Sequence, residues 1–224
     1  MMNREEFLRA LRQVGEGRYH HLHPFNVRMN SGKLSPEEIR LWVANRFYYQ
    51  ENIPIKDAAI ISNCPDREVR RVWLHRITDH DGRQGAEGGI GAWLRLAEAC
   101  GVAPEKLTTH ELLKPAARFA VDAYVNFART QPWPIAVSSS LTEMFAPDIM
   151  AERLEAFRKY YTWVPEWGFE YFQSRVTQAR KDSDEALEIT VTRCDTEDLQ
   201  QRALAALRFK CDVLWSLLDA IDES

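Results

Sequence analysis

Apolar residues recur along this chain at spacings of three and four rather than two, and helix-start signals separate the segments that carry them. That pattern predicts helices nearly throughout and no strand. Ser35-Pro36-Glu37-Glu38 reads as a capping box with proline at the first helical position; Pro65-Asp66 opens a further helix, and Thr108 with Glu111 offers a second box. Gly101 closes the GGIGAWLRLAEAC stretch as the residue just past a helix end. About seven substantial helices are predicted, beginning near residues 3, 36, 66, 89, 109, 148 and 196, with shorter helical pieces between. Pro54 falls inside the second and is expected to kink or break it. No repeat, low-complexity tract or linker divides the sequence, so the expectation is one compact all-α domain over residues 1–224.

Composition narrows the class. A chain of 224 residues, 45% hydrophobic and 28% charged, with seven Trp, ten Phe and seven Tyr, can fill a sizeable core. Its net charge of -4, with acids and bases interspersed, argues against nucleic acid as a partner. Cys64, Cys100, Cys194 and Cys211 form no C-x-x-C pair, and MMNREEFLRALRQ reads as an amphipathic charged helix rather than a signal peptide. Both point to a reducing, cytoplasmic compartment. The longest uncharged run, Thr130 to Thr142, is too short to span a bilayer, so no membrane is expected.

One segment breaks the ordinary core pattern. Asn45 to Ile60, NRFYYQENIPIKDAAI, places Arg46, Tyr49, Gln50, Lys56 and Asp57 on an otherwise core-like helix. Unpaired buried cations are costly, so the segment implies either an internal ion-pair network or an enclosed acidic ligand. Further polar residues fall four apart on helices: Arg46 with Gln50, Arg76 with His80, Tyr171 with Arg175. With Lys56, Tyr124, Glu143, Arg153 and Lys210, each in an apolar-rich segment, they form a set in which cations outnumber acids. Were these to converge, the pocket would suit a polyanion; the bland alternative is a set of separate buried ion pairs or half-exposed side chains with snorkelling stems.

His80, in RITDHDG, sits where a helix breaks at Gly82. It could serve as a base, a ligand or a C-terminal cap. Asp79 and Asp81 could orient or charge the ring, while Arg76 one turn back disfavours the imidazolium and holds a neutral base. No histidine stands three residues after a Glu or four after an Asp, so the di-iron bundle pattern is absent. His20, His21 and His23 are spaced irregularly before Pro24 and read as loop-edge packing rather than metal ligands. His80-Asp81 also resembles the His-Asp pair of metal phosphohydrolases, a weak signal alone.

The segments HPF, NRFYYQENIPIKDAAI, RITDHDG, EGGIGAWLRL, RFAVDAYVNFAR, SSSLTEMFAP, EYFQSR and LRFKCDVLWSLLDA, in this order from about residue 18 to residue 220, resemble the pyrroloquinoline quinone synthases. The resemblance implies a heme-oxygenase-like helical bundle, a homodimer, and the last step of making that redox cofactor. There a polycarboxylated bicyclic quinone precursor is closed and oxidised by dioxygen with release of hydrogen peroxide. It implies no metal and no organic cofactor, dioxygen being a co-substrate. Carried over by motif position, Arg46, Gln50, Lys56, Arg76, Tyr124, Glu143, Arg153 and Lys210 hold carboxylates and quinone oxygens, and His20 adds a hydrogen bond. His80 is the general base, and Tyr171 with Arg175 meets the reduced oxygen species. Pro147, Pro165 and Gly168 punctuate residues 143–180 and mark that region as one that closes on the ligand.

Two positions depart from the family pattern, which has histidine where this chain has Met150 and commonly where Asn26 stands; methionine cannot replace a proton donor. Relatives also continue past the position of Ser224, as a truncated chain or a domain cut from a fusion would explain. The competing readings are a metal-dependent oxygenase or phosphohydrolase on a related all-α scaffold, and a carrier that binds the finished quinone without chemistry.

Overall fold

The computed structural model describes residues 1–222 and, for residues 177–181, the backbone alone. Ser224 thus lies outside the described residues. Eleven α-helices are described: α1 (Arg4–Arg18), α2 (Pro24–Asn30), α3 (Pro36–Asn63), α4 (Arg67–Asp81), α5 (Gly88–Ala99), α6 (Pro104–Thr108), α7 (Pro115–Thr130), α8 (Trp133–Ser138), α9 (Ala146–Tyr160), α10 (Glu170–Arg193) and α11 (Glu197–Asp219). Short 3-10 turns at His20–Leu22, Ser139–Phe145 and Glu166–Phe169 join some of them. No strand occurs among the described residues, and no helix is long and apolar enough to cross a membrane.

The central element is α3. It opens on the expected capping box, Ser35 accepting from the Glu38 amide while Glu38 reaches back, with Pro36 in the first turn. All seven residues from Trp42 to Tyr48 are buried, so this stretch is enclosed on every side by α5, α7 and their neighbours. That enclosure explains why the break expected at Pro54 does not occur. The helix continues nine residues further to Asn63, packing offsetting the roughly 3 kcal/mol that an interior proline costs.

Two other expectations change. No helix begins near residue 109: α6 ends at Thr108, His110 takes a positive φ of 57°, and α7 opens on Pro115. The cap there comes from another helix, since the Lys114 amide donates to Asn45 Oδ1 on α3 at 2.7 Å. The 24-residue α10 is the helix that apolar periodicity missed, its middle being polar and its packing supplied by α8, α9 and the Ser139–Phe145 turn. The stop after α5 is as expected, Gly101 lying just past it at φ 77°, where only glycine is unstrained.

Two large apolar clusters fill most of the bundle, with a small third of Ala120, Tyr124 and Val213 beside them. One gathers Trp42, Trp93, Leu96, Phe157 and Phe172; the other gathers Phe7, Leu11, Ile60, Trp73 and Leu207. Tyr49 of α3 packs against both. The polar residues of α3 therefore lie at the seam between two dry cores, where every unpaired charge is expensive.

Candidate active site

At that seam is a narrow cavity of about 40 Å³. Helix α3 contributes Arg46, Tyr49 and Ile53, the end of α4 His80, the Ser139–Phe145 turn Thr142 and Glu143, α9 Ala146 and Met150, α10 Tyr171 and Arg175, and α11 Leu214, with Tyr19 from the link after α1. A larger hollow of about 460 Å³ runs along α1, but it is lined only by residues of that one helix, so no chemistry converges there. The cavity at the seam has room for no more than a few waters. A bicyclic ligand would require it to widen.

The surrounding cations divide into two groups. Arg76 is charge-paired internally: Nη2 meets both oxygens of Glu143 at 2.5 Å, and Nε, although without a hydrogen bond, lies 3.7 Å from Asp57. Burial opposes its charge, but Glu143, Asp57 and Asp182 outweigh it and raise its pKa. Lys56 pairs with Asp57 at 2.5 Å and donates to Ser140 Oγ at 3.0 Å. Arg175 meets Asp182 at 3.3 Å. Arg46, Arg153 and Lys210, by contrast, have no carboxylate partner among the described residues, although all three are buried.

Those three rest on aromatic faces instead. The Arg46 guanidinium lies 3.8 Å from the Tyr49 ring centroid, and Arg153 stands 5.0 Å from that of Trp42. Lys210 Nζ sits 3.9 Å and 3.5 Å from the centroids of Tyr49 and Tyr124, two rings stacked at 6.3 Å, and donates to the Tyr49 hydroxyl at 2.6 Å. Cation–π contact offsets only part of the desolvation. Burial, then Arg46 and Lys56, holds Lys210 well below its ordinary pKa; burial, then Arg46, pulls Arg153 down to about 10. Arg46 Nη1 and Arg153 Nε are buried without hydrogen-bond partners. An anion with several carboxylates would relieve all three at once.

The candidate reactive groups are His80, Tyr171 and Arg175. Burial, then Arg175, Arg76, Lys56 and Arg46, pushes His80 well below its ordinary pKa, which leaves a neutral imidazole able to accept a proton. The expected orienting role of Asp79 or Asp81 is not found: neither carboxylate hydrogen-bonds the ring, and Nδ1 is buried without a partner. What faces Nδ1 is Gly89 at the start of α5, where an added Cβ would lie 3.1 Å away. Tyr171 hydroxyl accepts from Gln50 Nε2 at 2.8 Å, and its ring packs edge-on against Trp93.

Of the sequence candidates, Arg46, His80, Glu143, Tyr171 and Arg175 line the cavity directly, and Gln50 reaches it through Tyr171. Lys56 and Arg76 stand behind it in ion pairs. Tyr124 lies beneath Lys210 with its hydroxyl 3.5 Å from Ser140 Oγ. His20 and Arg153 are joined through Asn26. At the two departures from the family pattern, Asn26 is buried in that hydrogen-bond network and Met150 lines the cavity with no proton to give. Sequence reasoning did not assign Tyr19, Tyr49, Asp57 or Asp182 to the site. Tyr49 could have been found as the residue one turn from Arg46; nothing local ties Asp182 to Arg76.

Among the described residues one group has metal-ligand character, His75, Asp79 and Asp182, whose donor atoms lie within 4.8 Å of one another. Asp182 Oδ1, however, is 3.0 Å from His75 and 3.9 Å from Arg76, and Oδ2 is 3.3 Å from Arg175. Two guanidiniums beside the carboxylate repel a metal cation.

A family model described as TENA/THI-4/PQQC family matches residues 8–220. A protein of Pseudomonas aeruginosa named pyrroloquinoline-quinone synthase is 57% identical over 221 residues, covering 98% of this chain and 88% of its own. One of the same name from Pseudomonas syringae pv. tomato is 55% identical over 216 residues, with 96% and 86% covered. Among solved structures, a TenA homolog from Pseudomonas syringae pv. tomato superposes with a TM-score of 0.80 at 16% identity, covering 100% of this chain and 96% of that one. A Shewanella denitrificans domain described as having a heme oxygenase-like fold gives 0.81 at 12% identity, with 99% and 92% covered. At such identities the two structures establish the fold, which is heme-oxygenase-like as the sequence motifs implied.

Proposed function

The chain belongs to the TENA/THI-4/PQQC family, and on that premise we propose that it is a cofactorless oxidase performing the final step of pyrroloquinoline quinone biosynthesis. Its place as an enzyme of that biosynthesis follows from the name and full-length similarity of its relatives. The finer reading gives it the polycarboxylated bicyclic quinone precursor as substrate and dioxygen as oxidant. The observation that supports it is the trio Arg46, Arg153 and Lys210, buried and unmatched by any described carboxylate, with Arg46 lining the cavity and the other two close enough to feel its charge. A substrate bearing several carboxylates supplies the missing charge.

Neutral His80 takes a proton from the ring, leaving it electron-rich. Each oxidation then removes two electrons and two protons from the ring and delivers both to dioxygen, which leaves as hydrogen peroxide. Tyr171 and Arg175 donate to the developing negative charge on oxygen. The proposal includes a homodimer, a cytoplasmic location, and no part for a metal, organic cofactor, nucleic acid or membrane.

Mixing the protein with precursor in a single turnover tests the reading. The expected result is conversion of the chromophore to the quinone with peroxide formed; binding without peroxide would make the protein a carrier. Activity that tracks stoichiometric bound iron or manganese would instead establish the metal-dependent alternative.

A further inference from the structure

Asn26 lies on α2, is almost fully buried, and joins the backbone and ring of His20 to the guanidinium of Arg153. Its amide orientation is fixed from both ends. Arg153 Nη2, 3.1 Å away, can only donate, so the atom facing it is Oδ1. The His20 carbonyl, 2.7 Å away, can only accept, so the atom facing it is Nδ2. The second hydrogen of that same Nδ2 then meets His20 Nδ1 at 3.1 Å. A donor there requires a lone pair on Nδ1, and the ring proton must sit on Nε2.

We propose that Asn26 is a positioning residue that locks neutral His20 as its Nε2–H tautomer and holds Arg153 beside it, leaving one neutral donor and one cation for a substrate carboxylate. The placement of Asn26 follows from its helix. His23 caps α2 by accepting the Phe25 amide on Nδ1 at 3.1 Å and is pinned by Asp219 at 3.0 Å, so the first turn, and Asn26 with it, is anchored from both sides. His20 stands close to the buried cations: after burial, Arg153, Arg46 and Lys210 are what depress its basicity. An imidazolium would add a fourth buried positive charge to that group. The neutral donor tautomer supplies a hydrogen bond to an anion without that cost. Arg153, which would otherwise be free to swing its planar fork, is held by one nitrogen and keeps others for a ligand.

The inference rests on the proposed substrate only for what the two donors bind; the tautomer does not depend on it. Full-length protein carrying 15N-labelled histidine, with His20→Gln to assign the signals, reports the tautomer by long-range proton–nitrogen correlation without ligand near neutral pH. The expected result is Nε2–H for His20 in the wild type. Asn26→Asp should convert it to Nδ1–H or to imidazolium, because a carboxylate accepts where the amide donated. It should also weaken binding of pyrroloquinoline quinone about tenfold, the loss of one hydrogen bond to a charged group. A wild-type Nδ1–H ring, an unchanged tautomer in Asn26→Asp, or a switched tautomer with unchanged affinity would each overturn the proposal. Should Asn26→Asp not fold, the wild-type spectrum decides alone. Failure of the wild type to bind the quinone would count against the proposed function, while the ligand-free tautomer still decides for or against the lock.

Discussion

The hydroxyl of Tyr171 accepts a hydrogen bond from Gln50 Nε2 at 2.8 Å. A tyrosine held this way keeps its own hydrogen to give, and it lines the cavity beside Arg175. Tyr171→Phe removes that donor and leaves His80 untouched. It should therefore let early deprotonation proceed and slow the oxygen-dependent steps. Rapid mixing with precursor, first without and then with oxygen, separates the two phases; a loss confined to the anaerobic phase would remove Tyr171 from the oxygen chemistry.

Among the described residues, Arg46 and Lys210 are contacted by aromatic faces and a tyrosine hydroxyl rather than by a carboxylate. If they bind substrate carboxylates, Arg46→Ala or Lys210→Ala should each weaken affinity for the product quinone by roughly 1.5–3 kcal/mol, the range for hydrogen bonds to charged groups. Titration calorimetry measures this. Unchanged affinity would place both in the structural frame instead. Arg76→Ala should behave differently, costing stability as well, because it leaves Glu143 and Asp57 without their shared cation.

Proton uptake should accompany binding. Lys210 is depressed in the free protein by burial and by Arg46 and Lys56, and a bound carboxylate restores its basicity. The complex then binds more protons than the free protein between the depressed and the restored pKa, so affinity should fall as pH rises through that window. Calorimetry in buffers of different ionisation enthalpy reads the proton count directly. Proton release, or no exchange, would show that binding does not raise the protonation of Lys210, and Lys210→Met should abolish the uptake.

Much of this was legible in the sequence because it is written locally. The caps at Ser35 and Asp66 and the stop at Gly101 depend on residues within one turn, and all three occur as the sequence implies. The i, i+4 pairs Tyr171 with Arg175 and Arg76 with His80 do share helix faces toward the same seam. What sequence could not show is which cations already have partners. Arg76 looked like a ligand-binding arginine, yet its counter-ions Glu143 and Asp182 stand 67 and 106 positions away. Pro54 and α10 failed for a related reason: tertiary packing held one helix together and buried polar residues such as Asp182 and Ser183 on another.

Closure of the site is a further expectation, resting on the cavity's size. At about 40 Å³ it cannot hold a bicyclic ligand, so the wall must move for binding. The segment from Glu143 through α9 to the start of α10 is the candidate, with Pro147 in the first turn of α9, Pro165 before the Glu166–Phe169 turn, and Gly168 against α5, where a Cβ would meet Ala99. Residues 177–180 of the region expected to close belong to those without described side chains. Hydrogen exchange with and without product should show altered protection from residue 143 to residue 176. Equal protection in both states would exclude closure there.

His80 is expected to carry proton abstraction, and two substitutions probe it from opposite sides. His80→Asn keeps much of the size and a hydrogen bond but cannot accept a proton near neutral pH, so precursor should bind while conversion stalls before the aromatic quinone. Affinity should change little, because the cations that hold the ligand are elsewhere. Gly89→Ala leaves the imidazole intact but moves it: the new Cβ would stand 3.1 Å from Nδ1, tighter than ordinary contact, and the ring must give way. A displacement of a few tenths of an ångström should lower the rate of the proton-transfer step while Tyr171 and the oxygen steps remain as they were. Stopped-flow spectra of the two variants should then show the same early species accumulating, for long periods in His80→Asn and briefly in Gly89→Ala. Product formation by His80→Asn at the wild-type rate would end His80's role as the base.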